Sequence, residues 1–342
     1  MTNTCFFPLI LLLFACFGHF SSLNAQITNV DAWSEQGQIW LKWTHPNPSQ
    51  DQIGYRIYAR QAGSGFSSDW NDWEEIGSVF QEDATGSRLH DFDPLITHER
   101  KLRYLAPGGI VTPLTEDERL FVITPHADRD LFFAIRRVYR VESGGDCTIQ
   151  NETLPIGTDN RTGTALNFTF NAATDILPVL QKEATFETEV VEPDGSTRDT
   201  EFLYRIYAYW ADGRFDHNDN RRGYPVMGNP TRNGVPYYFI VWLPENGVPN
   251  KYGAVHFLHG GQGKASKFRP GNAFGIDLVP ENCLLIAHDD NNLNTLGSDC
   301  RVKARHTWWF GYSRDYDAFE KAPDNPFDLD TDTVVNYTQR RV

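Results

Sequence analysis

The sequence predicts a multidomain protein with an N-terminal all-β sandwich, a β-rich middle region and an incomplete C-terminal third of α/β type. Over residues 26–145, apolar and polar residues alternate in short segments, which is typical of strands with one buried face. Over residues 226–342, apolar runs lack this alternation, which indicates strands buried on both faces. The length of 342 residues is sufficient for two or three domains.

Residues 1–25 have the composition of an export signal. They contain no Asp, Glu, Lys or Arg, and residues 6–17 form a nearly unbroken apolar run. That run is too short for a membrane span and has the length of a signal-peptide core. Ala25 is the small residue expected directly before cleavage. We therefore predict a signal peptide over 1–25 and a secreted or cell-envelope protein. A buried N-terminal helix and a lipid anchor on Cys16 are the alternatives.

The strands of region 26–145 are predicted from periodicity and from the turns between them. In residues 39–43, Ile, Leu and Trp alternate with Trp and Lys, so that an aromatic ring lies on each face of the strand. Further strands are expected over 55–59 and 131–138, and clusters of Pro, Gly and Asn separate them. Many short strands at this spacing indicate a sandwich.

The order of these strands resembles that of a fibronectin type III domain. Trp43 occupies the place of the core tryptophan of that family, and residues 55–58 match its Tyr-x-Ile/Val-Tyr strand. The resemblance implies a spacer or adhesion module, whose partner would be an extracellular polysaccharide. For Trp70 and Trp73, packing against their own loop is expected, and stacking on a sugar face is the alternative.

The middle region, residues 146–225, contains three Asn-x-Thr glycosylation sequons, at Asn151, Asn160 and Asn167. Residues 202–210 then form an apolar and aromatic run that predicts a buried strand. Within it, residues 204–208 repeat the Tyr-Arg-Ile-Tyr-Ala sequence of residues 55–59. A second, incomplete sandwich and a β-rich connector both remain open for this region.

The C-terminal third, residues 226–342, carries a glycine loop directly after an apolar strand over 254–258. The loop consists of His259, Gly260, Gly261, Gln262 and Gly263. Glycines allow the chain to fold back, so that backbone N–H groups point at one spot where negative charge can develop.

This pattern resembles the loop after the third strand of α/β-hydrolases, in particular secreted esterases of the polyhydroxyalkanoate-depolymerase and feruloyl-esterase type. The resemblance covers the last third of the chain and implies an ester substrate. It also implies that Gly261 and Gln262 offer oxyanion N–H groups, while His259, Gly260 and Gly263 support the loop.

In that family the nucleophile lies in a G-x-S-x-G turn, and Asp or Glu and then His follow it. Ser313 is preceded by Gly311, but Asp315 stands where the second glycine should be, so we expect an aromatic-rich loop there. The chain therefore carries no complete Ser-His-Asp triad. A helix is expected over 331–341, and the hydrolase domain is expected to stop before its nucleophile.

Several functions are disfavoured by composition and motifs. The formal net charge is −14 and no basic track is present, which argues against nucleic acid as a partner. No P-loop, dinucleotide fingerprint or zinc-ligand spacing occurs, so no cofactor and no metal is expected. No membrane span is expected after residue 25. Cys283 and Cys300 could bridge or remain free thiols.

These observations lead to two hypotheses. The first is that the chain is the N-terminal portion of a secreted serine esterase-like hydrolase with an accessory fibronectin type III domain, and that it is inactive alone. The alternative is a non-catalytic extracellular binding or adhesion protein that uses its β-sandwich domains.

Overall fold

The computed structural model describes residues 26–87, 89, 95, 101–125, 127–143, 146–171, 173–210 and 234–245, followed by the shorter segments 253–258, 265–273, 276–278, 282–288, 293–296, 301–305, 312–313, 319 and 334–335. The first part of the chain forms these elements in order: β1 (Thr28–Glu35), β2 (Gln38–Thr44), β3 (Gln52–Gln61), β4 (Glu74–Phe80), α1 (Gln81–Thr85), β5 (Arg103–Ala106), β6 (Ile110–Pro113), β7 (Glu118–Ile123) and β8 (Arg129–Ser143).

The second part adds β9 (Asp146–Asn151), β10 (Leu166–Phe168), β11 (Val179–Val191), β12 (Thr197–Trp210), β13 (Pro236–Trp242), β14 (Gly253–Phe257), β15 (Gly271–Ala273), β16 (Ile276–Leu278), β17 (Cys283–His288), β18 (Leu293–Leu296), β19 (Val302–Arg305), β20 (Tyr312–Ser313) and β21 (Val334–Val335). Strands thus dominate the described residues.

Two antiparallel sheets form the N-terminal sandwich. One has the order β1-β2-β7, and the other has the order β10-β8-β3-β4, with β9 also paired to β8. Trp43, Tyr55, Phe121 and Phe133 are fully buried between them. Because each buried aromatic side chain stabilises the fold by about 1.5–3 kcal/mol, these rings dominate the sandwich core. The prediction of an all-β sandwich is confirmed.

The strands of the middle region divide between two sheets. Strands β9 and β10 pair with β8 of the sandwich. Strands β11 and β12 instead form a long antiparallel hairpin, and β12 also pairs with β13 of the C-terminal third. The repeat at residues 204–208 therefore lies in a different sheet from residues 55–59.

The C-terminal sheet has the order β11-β12-β13-β17-β14. Its neighbouring strands are antiparallel except β14 and β17, which are parallel. Within the described residues after 234 there is no α-helix, although an α/β domain needs helices on its sheet. Val334–Val335 forms a strand that pairs with Tyr312–Ser313, so the prediction of a helix over 331–341 is wrong at these two residues.

The sandwich and the C-terminal sheet share one hydrophobic core. Trp40, Leu120 and Val122 extend from the outer face of the β1-β2-β7 sheet into this core. There the indole of Trp40 meets the indole of Trp210 edge to face, with ring centroids 4.9 Å apart. The β1-β2-β7 sheet is therefore covered on both faces, and the two regions are packed together rather than merely tethered.

Candidate functional site

Strand β14, which leads into the glycine loop, is the end strand of the C-terminal sheet. Its first four residues are exposed, and 47% of Val255 and 46% of Leu258 are accessible to solvent. Parallel strands are normally covered on both faces. The prediction that the 254–258 strand is buried on both faces is therefore wrong: among the described strands β14 is an end strand, and only Phe257 in it is half-buried.

Residues 259–263, which include the oxyanion candidates Gly261 and Gln262 and the supporting residues His259, Gly260 and Gly263, lie outside the described residues. The structure does describe the chain on both sides of them. Phe257 and Phe268 contact each other, with ring centroids 3.9 Å apart. The indole N–H of Trp242 donates to the Phe268 carbonyl at 2.9 Å. Phe257 and Phe268, which flank this segment in the sequence, therefore lie close together beside Trp242.

Two histidines meet where β14 and β17 end. His256 Nδ1 lies 2.9 Å from His288 Nε2, and the ring planes differ by 9°. This distance is shorter than the separation of stacked rings, so the contact is a hydrogen bond between ring edges. His256 is exposed, whereas His288 is 8% exposed. One imidazole is buried and the other faces solvent, and both lie near the carboxyl ends of the two parallel strands β14 and β17.

Aromatic rings hold the buried member of this pair. The ring of Phe239 on β13 contacts the imidazole of His288, with centroids 5.8 Å apart. Tyr207 on β12 stacks in turn on Phe239, with centroids 5.4 Å apart and planes at 18°. No charged residue occurs on β13, β14 or β17. The strands that carry the His256–His288 pair are therefore otherwise apolar and aromatic or small in their side chains.

The other end of the strands, beyond the last residue of β13, carries charged side chains. Glu245, just after β13, accepts hydrogen bonds from Arg198 and Thr200. The Arg198 hydrogen bond is the main reason why the pKa of Glu245 lies below its usual value, with Thr200 contributing and burial opposing. Because β13 runs antiparallel to β17, this network is remote from the histidines. The network connects β12 to the residues that follow β13, and it does not contribute to the candidate site.

Ser313, the nucleophile that the sequence disfavours, lies in β20 with its backbone paired to Val334. Its neighbours Gly311 and Asp315 lie outside the described residues, as does Cys300. Cys283 carries a free, half-buried thiol, so the alternative of a Cys283–Cys300 bridge is not the one the structure contains.

The two tryptophans of the sandwich loop are buried. Trp70 is 8% exposed and Trp73 is 6% exposed. The indole of Trp70 donates to the Leu154 carbonyl, and that of Trp73 donates to the Ser67 carbonyl. The expectation that they pack against their own loop is confirmed for Trp73, whereas Trp70 packs on Tyr58 of β3 and bonds to Leu154. Neither ring offers an open sugar-stacking face.

The His256–His288 pair was not predicted from the sequence, although each histidine ends or interrupts an apolar run. Within the described residues there is no group of three or more His, Cys, Asp or Glu side chains that could hold a metal ion. Over the same residues, no helix is long and apolar enough to cross a membrane. No protein-family model matches this chain, and no curated protein matches it either.

Proposed function

We propose that this chain contributes the first strands of a secreted esterase-like hydrolase domain, joined to a fibronectin type III-like sandwich, and that it does not hydrolyse esters alone. One observation carries the proposal. Among the described strands, β14, which leads into the glycine loop, is the end strand of its sheet, is largely exposed and is parallel to β17.

The exposed edge of β14 is the place where one more strand can join the sheet. If that strand ran parallel to β14, its carboxyl end would lie beside the loop that leaves β14. A residue following it would then be close to the N–H groups of Gly261 and Gln262. An oxyanion hole needs a nucleophile at this place, because its N–H groups act on the charge that develops when the nucleophile attacks.

The proposal depends on strand order and on the loop rather than on helices. Residues 1–25, on which export depends, lie outside the described residues, so secretion is part of the proposal. The substrate class, an ester, follows from the family resemblance of the loop and from nothing else in the chain.

The first test is an ester-hydrolysis assay of the purified chain with p-nitrophenyl butyrate. We expect no turnover above the buffer rate, and no difference between the wild type, Ser313→Ala and the exposed sandwich control Ser64→Ala. Turnover that is lost in Ser313→Ala but kept in Ser64→Ala would contradict the proposal, because the chain would then contain its own nucleophile.

The second test is to read the DNA that follows the Val342 codon at the native locus. An apolar strand, G-x-S-x-G and later Asp and His codons, in frame or after one frameshift, would support the proposal, whereas unrelated sequence would contradict it. In the joined product, Gln262→Pro should lower turnover by about 10²–10³-fold because it removes one N–H donor, whereas Gln262→Ala keeps this donor.

A binding role is the second candidate, and Phe66 is the observation that favours it. Its ring is 58% exposed on the sandwich, and the Arg161 guanidinium lies 4.5 Å from its centroid. An exposed aromatic ring on an exported sandwich is suited to bind a polysaccharide surface. Retention of the chain on insoluble glycans should fall with Phe66→Ala. Equal retention of this variant, or none of the wild type, would exclude the role.

A further inference from the structure

We propose that the N-terminal sandwich contains a pH-sensitive contact between its two sheets, which forms only while the imidazole of His45 is neutral. His45 follows β2 directly and is fully buried. Its backbone N–H donates to the Asp117 carbonyl, just before β7 of the same sheet, at 2.7 Å. Its ring contacts Tyr55 of β3, which belongs to the other sheet. The proposal depends on neither the hydrolase function nor the binding role.

The contact consists of one imidazole, one phenol and one amide. His45 Nδ1 lies 2.8 Å from the Tyr55 hydroxyl oxygen and 3.4 Å from Gln52 Nε2. The two rings meet edge to face, with centroids 5.7 Å apart and planes at 78°. Both rings are fully buried, so bulk water would not hydrate a positive charge on the imidazole.

The groups around the Tyr55 hydroxyl determine the direction of its hydrogen bond to His45. Arg119 forms a side-chain hydrogen bond with Tyr55, and a guanidinium group can only donate. Burial raises the pKa of Tyr55 while Arg119 opposes the rise, so the hydroxyl keeps its hydrogen. The Tyr55 oxygen therefore accepts from Arg119, and its hydrogen is donated to His45 Nδ1. That nitrogen can accept only while it carries no proton.

The charged groups that face this contact from the other strands oppose a further positive charge. From β7, the buried guanidinium of Arg119 reaches Tyr55. From β8, Arg137 lies directly across from Tyr55 and donates from Nε to Glu152 at 2.8 Å, and this pair is buried as well. Two guanidinium groups and one carboxylate leave one positive charge in excess.

The other carboxylates around the contact do not compensate for this excess. Glu118 pairs with Lys42 and accepts from the backbone N–H of Thr115. The acidic residues in the adjoining turns are exposed to solvent, namely Asp51, Glu116 and Asp117. A protonated His45 would therefore be a buried charge beside a cluster of the same sign, which is strongly unfavourable.

The expected consequence is a loss of stability in acid. The imidazole of an unfolded chain takes up a proton at about pH 6.5, whereas His45 of the folded chain stays neutral there. The unfolded state then binds one proton more than the folded state, so the free energy of unfolding falls as the pH falls. One proton corresponds to at most about a tenfold change in the unfolding equilibrium constant per pH unit.

The test is urea denaturation of the full chain from about pH 8 to about pH 5 for the wild type, His45→Asn and His256→Asn. Asparagine offers a carbonyl oxygen to the Tyr55 hydroxyl and does not titrate. Below about pH 6, the unfolding constant of the wild type should rise by up to about tenfold more per pH unit than that of His45→Asn. His256→Asn removes an exposed histidine and should keep the wild-type slope.

A second readout uses the wild type alone. In NMR spectra of the chain with isotope-labelled histidine, His45 should show a neutral ring with its hydrogen on Nε2 at all pH values at which the protein is folded. Protonation of His45 in the folded protein would overturn the proposal, and so would equal slopes for the wild type and His45→Asn, or a slope lost equally in His256→Asn. If His45→Asn does not fold, the NMR titration decides.

Discussion

The same five residues, Tyr-Arg-Ile-Tyr-Ala, occur in β3 at 55–59 and in β12 at 204–208. In both strands the first, third and fifth residues are buried, and each strand lies between two others in its sheet. The first tyrosine packs on a tryptophan in each case, with centroids 5.0 Å apart for Tyr55 and Trp43 and 4.9 Å apart for Tyr204 and Trp242. The two copies of the motif therefore bury the same three residues and make the same kind of tyrosine–tryptophan contact.

The outer faces differ. Tyr58 is 7% exposed and packs beneath Trp70. Tyr207, its counterpart, is only half-buried and stacks on its cross-strand neighbour Phe239. The first copy is covered by the loop that directly follows its strand, whereas the second stacks on a neighbour in its own sheet. The five-residue sequence thus determines which face turns inward, and residues outside it determine whether the other face is covered.

The largest expected effect tests whether the two copies belong to one folding unit. Trp40→Ala removes a fully buried indole that joins the β1-β2-β7 sheet to Trp210, and should cost about 3–5 kcal/mol of unfolding free energy. Trp40 packs in the core of residues 204–208, and its strand β2 carries Ile39, Leu41 and Trp43 into the core of residues 55–59. Amide hydrogen exchange should therefore accelerate at both 55–59 and 204–208. Acceleration in only one of them would show that the two regions unfold separately.

The second prediction sharpens the contrast between the outer faces. Tyr58→Ala leaves a cavity under Trp70 and should cost about 3–5 kcal/mol, whereas Tyr207→Ala should cost about 1–2 kcal/mol because its ring is already partly in water. Urea denaturation of the two variants measures this difference. Equal costs would mean that Tyr207 is covered as completely as Tyr58.

The smallest expected effect concerns the arginine of each copy. Arg56 lies 2.7 Å from Glu75 and 3.1 Å from Asn151, and the Arg56 side chain is 14% exposed. Arg205 pairs with Glu183 through a side chain that is 38% exposed. Arg56→Gln should therefore cost about 1–2 kcal/mol, and Arg205→Gln less than about 0.5 kcal/mol. High salt should reduce the Arg205 effect further, and a larger cost for Arg205→Gln than for Arg56→Gln would refute the comparison.

One part of the candidate site could be predicted from the local sequence, and another part could not. The glycines at 260–263 are visible in the sequence, because their effect on the backbone is local. The pairing of His256 with His288 is not visible, since it depends on a parallel register between residues 32 positions apart. Nothing in either apolar run specifies that register.

By itself, the sequence determined the β-rich class, an N-terminal sandwich and the inner face of the main strands. These follow from a two-residue periodicity and from turn residues, which act over a few positions. The tertiary structure alone decided that β12 and β13 pack on the outer face of the sandwich and that β14 is the end strand among the described strands of its sheet. Strand order depends on which distant surfaces bury the most apolar area together, and no short window of sequence contains that information.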